Sequence, residues 1–184
     1  MPFPLAFIPK LDWKTPPRCF GARRSGGRRK HAGCDLYAPI GTPVSAVADG
    51  KVLGFAPFYL GTYALTVDHG AFTVRYGEIE QTLPVGIKPG RSVKAGDRIG
   101  TVGRLSGLAI SMVHFEMYSG SAKGALTQPR NAPFMRRADL IDPSAALDGW
   151  AQELRKQELR KKVIRRKESR LAAPPVRPAG MARF

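Results

Sequence analysis

The chain has 184 residues, of which 43% are hydrophobic and 24% charged, enough apolar matter for one compact core and too much for wholesale disorder. Lys and Arg outnumber Asp and Glu by 30 to 14, a formal net charge of +16. No apolar run approaches the ~18–20 residues that a membrane-spanning helix needs.

Residues 1–17 are Pro-rich and read as an extended N-terminal arm. The first ten, Met1 to Lys10, are apolar but broken by three prolines and lack a basic start, so they do not read as a secretory signal. Residues 18–30 carry six basic residues and no acid. From 34 to 120 short apolar runs at 43–48, 51–55, 63–67, 72–76 and 99–102 are separated by Gly, Pro or Asp, with turns at Asp49-Gly50, Pro89-Gly90 and Ala95-Gly96-Asp97. That punctuation predicts a mainly β domain, a sheet or a barrel-like body, over 18–143, with 121–143 irregular. A helix is expected over 144–171. Asp142-Pro143-Ser144 can start it, and Leu147, Trp150, Ala151 and Leu154 fall on one face. Beyond Leu154 the apolar stripe thins and the helix becomes basic, so it is expected to leave the body. Residues 172–184 read as a Pro-rich tail.

The charge is concentrated in two places. Residues 149–184 carry eleven basic and three acidic residues, and with 18–30 set aside too the body is left at only +2. Such patches suit polyanions, or an acidic protein surface in a larger assembly reached through the arm and the basic helix; a plain solvated face is the alternative. The cations circle the helix, which suits only non-specific contact with nucleic-acid phosphates.

Cys19 and Cys34 form no Cys-x-x-Cys pair, which excludes a thiolate zinc knuckle. They could form one disulfide, or Cys34 could be a small buried residue. The three histidines are His31, His69 and His114. On an extended strand His31, Gly33 and Asp35 share a face, and Gly33 puts nothing between imidazole and carboxylate. In Ser111–Met117 the alternation sets Met112, His114 and Glu116 on one face and Val113, Phe115 and Met117 on the other. Two imidazoles, a carboxylate and a water make an open catalytic zinc site.

The order His-Ala-Gly-Cys-Asp (31–35), Val-Asp-His-Gly (67–70), Val-Lys-Ala-Gly-Asp-Arg-Ile-Gly (93–100) and Val-His-Phe-Glu (113–116) resembles the lysostaphin/LytM-type zinc endopeptidases, over roughly residues 20–118. The resemblance implies an antiparallel β-sheet groove with a zinc ion at its floor, and hydrolysis of peptide bonds in peptidoglycan. It implies His31, Asp35 and His114 as zinc ligands, and makes His69 a turn residue. Glu116, on the face of His114, is a candidate to orient a ligand imidazole. Residues 89–100 also resemble a biotinyl-carrier hairpin, but lack the lysine at an exposed tip that such a carrier needs.

Two positions depart from the family. Met112 and Glu78 stand where the resemblance leads one to expect the histidines that handle the water proton and the oxyanion. Glu78 can replace one of them as general base, as a glutamate does in other zinc peptidases. Arg23, Arg24 and Tyr118 remain candidates to stabilise the oxyanion. Two functional readings stay open. One is an active peptidoglycan endopeptidase working at the cell wall or in the periplasm, delivered by lysis or as part of a virion or injection apparatus. The other is a catalytically altered wall-binding component of a phage tail or baseplate.

Overall fold

The computed structural model describes residues 1–171; the tail expected at 172–184 lies outside the described residues. The chain order is β1 (Arg23–Arg24), β2 (Arg29–Lys30), β3 (Cys34–Tyr37), β4 (Pro43–Ser45), β5 (Gly50–Pro57), β6 (Tyr63–Asp68), β7 (Thr73–Ile79), β8 (Ser92–Val93), β9 (Arg98–Thr101), β10 (Met112–Tyr118), β11 (Leu140–Ile141) and α1 (Ser144–Leu171). The main sheet is antiparallel and runs β11-β10-β7-β6-β5-β8. β3 adds to β10 beside its first half, while β11 pairs with its last two residues. β4 and β9 form a separate ribbon, as do β1 and β2. The sheet is open: among the described residues no pairing closes it into a barrel.

β7 and β10 are the centre of the sheet, and all seven residues of each are buried. One face is apolar. Val74, Tyr76, Val113 and Phe115 pack there with Val67, Leu65 and Ile99. The first turns of α1 close the apolar face with Leu147, Trp150 and Ala151, the stripe that the sequence shows. The Phe115 ring stands edge-on to both Tyr76 and Trp150. Past Leu154 the side chains of α1 through Arg166 are exposed, as the loss of the stripe implies. The N-terminal segment, by contrast, lies against the body. Phe3, Leu5 and Trp13 join the core, and Ser45 N–H donates to the Pro4 carbonyl. Burying such a side chain stabilises by ~1.5–3 kcal/mol, so these residues help to hold this chain's own fold.

His69 serves a corner of the fold. Its Nδ1 bonds the Asp49 carbonyl at 3.1 Å and its Nε2 the Tyr76 hydroxyl at 3.0 Å. That hydroxyl also accepts from Val47 N–H. Cys19 and Cys34 are both free thiols, so the disulfide is not formed. Cys34 is fully buried, and burial pushes its thiol up to about 11.

Candidate metal centre

His31, Asp35 and His114 come from three different elements. Asp35 lies on β3 and His114 directly opposite it on β10. His31 is not on that strand. It leaves the β1–β2 hairpin, whose ladder continues through His31 N–H to the Ala22 carbonyl and Gly21 N–H to the His31 carbonyl. The expected single strand over 31–35 is therefore broken between hairpin and β3. The reason for Gly33 differs as well. A Cβ there would sit 2.3 Å from the Phe115 carbonyl oxygen, so only glycine lets this crossing pack against β10.

The three side chains meet in a tight triangle. His31 Nε2 lies 3.0 Å from His114 Nδ1 and 3.0 Å from Asp35 Oδ1, and His114 Nδ1 lies 2.9 Å from the same oxygen. All three are buried. The outer ring nitrogens are already engaged. His31 Nδ1 donates to the Cys19 carbonyl at 2.9 Å, and His114 Nε2 donates to Glu116 Oε1 at 2.9 Å. With those protons placed outside, both inner nitrogens present lone pairs. Two lone pairs and a carboxylate oxygen then converge on one point, an arrangement that only positive charge stabilises. Ligand atoms around a tetrahedral zinc at 2.0–2.1 Å lie roughly 3.3 Å apart, so the donor set and its spacing fit such an ion.

Without an ion, a proton is drawn to the same place between these atoms. Burial would raise Asp35, but hydrogen bonds from His114 and His31 outweigh it and hold the carboxyl down at about 2. Burial would lower His114, but Asp35 and Glu116 outweigh it and hold the imidazole up at about 9. His31 is lowered, chiefly by burial.

Beneath His114 lies a network that the sequence reading found only in part. Glu116 is fully buried, and its Oε2 accepts from Arg75 Nε at 2.8 Å, from Arg75 Nη2, and from the Tyr118 hydroxyl at 2.6 Å. Arg136 Nε donates to Oε1 at 2.8 Å. Burial would raise this carboxyl, but His114 and the two guanidiniums hold it well below the usual carboxylate range. The sequence reading missed Arg75, whose place opposite Glu116 follows from the β7–β10 register that the structure shows. Arg136 comes from a loop with no periodic signal. Phe58 covers the site: its ring stacks 5.6 Å from that of His114 and lies 5.2 Å from the Arg75 guanidinium. Gly77 makes room, since a Cβ there would meet Phe58 Cε1 at 2.7 Å.

Glu78 is reached by a different device. His114 pairs with Gly77 and Glu116 with Arg75, so Gly77 and Arg75 share the site face of β7. Strict alternation would send Glu78 to the opposite, apolar face. The β6–β7 register slips between Tyr63 and Leu65, and Glu78 takes a φ of +63°. Such a bulge re-aims a side chain, and a left-handed non-glycine residue costs ~1–3 kcal/mol. The Glu78 carboxyl feels the charges of His114, Asp35 and Arg24. It is buried, its Oε2 has no hydrogen-bond partner among the described residues, and burial pushes it up to about 7. Met112 is buried at the start of β10 and offers no polar atom. Arg24 Nη2 lies 3.2 Å from Asp35 Oδ2. Arg23 is exposed over its own hairpin, where a Cβ on Gly27 would meet its Nη2 at 2.9 Å.

The sequence pattern of Peptidase family M23 matches residues 29–128. The chain belongs to peptidase family M23. It is 33% identical over 88 residues to the peptidoglycan DD-endopeptidase ShyB of Vibrio cholerae, covering 47% of this chain and 20% of that one. It is 30% identical over 131 residues to the cell division protein DipM of Caulobacter vibrioides, covering 70% of this chain and 19% of that one. The M23 chain thus spans about a fifth of these relatives. In structure it is similar to LytU, with a TM-score of 0.58 at 23% identity over 78% of this chain and 92% of that one. It is also similar to lysostaphin from Staphylococcus simulans, with a TM-score of 0.55 at 24% identity over 72% of this chain and 49% of that one. Those two structures share the fold.

Proposed function

We propose that this M23 chain is a zinc-dependent endopeptidase that hydrolyses peptide bonds of bacterial peptidoglycan, outside the cytoplasm. The observation that carries the reading is the triangle of His31, Asp35 and His114, whose outer ring nitrogens are both committed elsewhere. These three residues would hold the ion. Bound there, zinc supplies Lewis acidity, making a water more acidic and polarising a carbonyl. The substrate class is supported by relatives named peptidoglycan DD-endopeptidases.

Glu78 does the proton work. A carboxylate with a pKa near the working pH balances being deprotonated against being basic enough. It accepts the proton of the attacking water as the water oxygen bonds to the carbonyl carbon. It then delivers that proton to the amine nitrogen as the C–N bond breaks. Its buried Oε2 has no hydrogen-bond partner among the described residues, so no bond within the chain competes there for the carboxyl. Glu116 fixes His114 with Nε2 protonated, which leaves Nδ1 as the donor atom.

The test is digestion of purified sacculi, with the released fragments identified by mass spectrometry. Wild type is expected to release new peptide fragments, to stop with a chelator and to resume with zinc. His114→Ala is expected to release none. Zinc-loaded wild type that binds sacculi and releases nothing would replace this reading with the wall-binding one.

A further inference from the structure

An endopeptidase needs a donor for the negative charge that forms on the carbonyl oxygen, and with Met112 at the start of β10 that strand provides none there. This inference rests on the reading above. The positive and hydroxyl groups around the site differ in how far they are already committed. Tyr118 is fully buried and its hydroxyl donates a hydrogen bond to Glu116. Arg75 and Arg136 bind the same carboxylate from below. Arg23 is exposed and folds over Gly27 of its own hairpin.

Arg24 is placed differently. Asp35 turns Oδ1 to the two imidazoles and Oδ2 to Arg24 Nη2. The guanidinium therefore stands on the outer edge of the triangle. Its side chain is 25% exposed, against 7% for each histidine, so it lies between the buried ligands and solvent. Its charge also acts on Glu78 and on His31. The side chain is carried on a braced element: Arg24 pairs with Arg29 in the ladder that delivers His31, and Lys30 N–H ties that hairpin to the Pro133 carbonyl. Adjacent strand residues point to opposite faces, which is why Arg23 and Arg24 part company.

We propose that Arg24 is the catalytic residue that stabilises the oxyanion in this chain. As the water oxygen adds to the carbonyl carbon, the C=O π pair moves onto oxygen, and an Arg24 N–H donates a hydrogen bond to it. No proton leaves the guanidinium, which stays charged at any working pH. The pair returns to carbon as the C–N bond breaks and Glu78 protonates the amine. A guanidinium has five N–H groups, so the bond to Asp35 leaves others for substrate.

The experiment compares wild type, Arg24→Gln, Arg24→Lys and the exposed hairpin control Arg28→Gln, each zinc-loaded with its zinc content measured. The readouts are kcat and KM on a soluble peptide carrying the bond that wild type cleaves, and affinity for the phosphinic isostere of that bond. Arg24→Gln is expected to lose about 10²–10³-fold in kcat, with little change in KM or zinc content. Its affinity for the phosphinic isostere should fall by the same factor, since that group mimics the tetrahedral oxyanion. Arg24→Lys should recover part of the loss, and Arg28→Gln should match wild type. Equal phosphinate affinity in wild type and Arg24→Gln would overturn the assignment of Arg24 and leave the peptidase reading intact, as would a kcat loss explained by lost zinc. Wild type that neither cleaves wall peptides nor binds the phosphinate would overturn the peptidase reading itself, and this inference with it.

Discussion

Glu116 and Glu78 are carboxylates on neighbouring strands of one sheet, and the fold treats them in opposite ways. Glu116 accepts from His114, Arg75, Arg136 and Tyr118, and is held ionised. Glu78 sits in a strained backbone turn with one oxygen unpartnered, and is pushed up to about 7. Environments that drive two carboxyls apart mark a division of labour. On the proposed function, the satisfied one would hold a ligand in place, and the unsatisfied one would move a proton. Local dissatisfaction of this kind costs stability, which makes the contrast testable by substitution.

Glu78→Gln should separate activity from stability most widely. Its kcat is expected to fall by about 10²–10⁴-fold, the usual contribution of a general base. Its folded state should become more stable at pH 8. The sign follows from the shift: a carboxyl raised from 4.5 to about 7 stabilises the fold only while protonated, and that contribution is lost as pH climbs from 4.5 through 7. With metal removed, the gain on neutralising it is on the order of 3 kcal/mol at pH 8, readable by urea unfolding. A loss of stability there would break the contrast.

Glu116→Gln should do the reverse. It leaves Arg75 and Arg136 buried with half a partner, a change that costs about 3–5 kcal/mol when a buried pair is broken. Zinc affinity should drop by about 10–100-fold, because His114 loses the acceptor that fixes its tautomer. Calorimetric titration with zinc reads the second effect apart from the first.

The pH profile is a finer probe. Glu78 must be ionised to accept a proton, so kcat/KM should rise with pH and then level off, with the rising limb below about 7 because a bound cation favours the charged carboxylate. The rising limb should vanish in Glu78→Gln. The Glu116 contribution runs the other way: its carboxyl is depressed, so it supports the fold above the ordinary carboxylate range and fails as acid protonates it. The smallest expected effect is that of Phe58→Leu. Losing the stack on His114 should cost about 0.5–1.5 kcal/mol and leave zinc stoichiometry unchanged.

Much of this site was legible because it follows from period and order. The alternation in 112–118 placed His114 and Glu116 on one face, and the motif order brought in His31 and Asp35 across the chain. The mainly β body and the first turns of α1 followed from the same patterns, while the pattern left a sheet and a barrel-like body both open and the structure shows the sheet. What stayed hidden was whatever breaks a period. The resemblance named Glu78, but the bulge at which it turns is one that strict alternation does not show. Arg136 arrives from a loop whose path no local pattern sets. Gly33 is required by a carbonyl on β10, a long-range neighbour that its own segment does not reveal. Residues 1–17 read as an extended arm from their prolines, and nothing local in that segment shows that the core takes Phe3, Leu5 and Trp13.

The most direct measurement is zinc stoichiometry by native mass spectrometry on wild type, His114→Ala and Glu78→Gln. The account predicts a single zinc ion per chain in wild type and in Glu78→Gln, and none in His114→Ala, since three protein ligands hold a catalytic ion and the base is not among them. Wild type that takes up no zinc, or His114→Ala that retains it, would contradict the account.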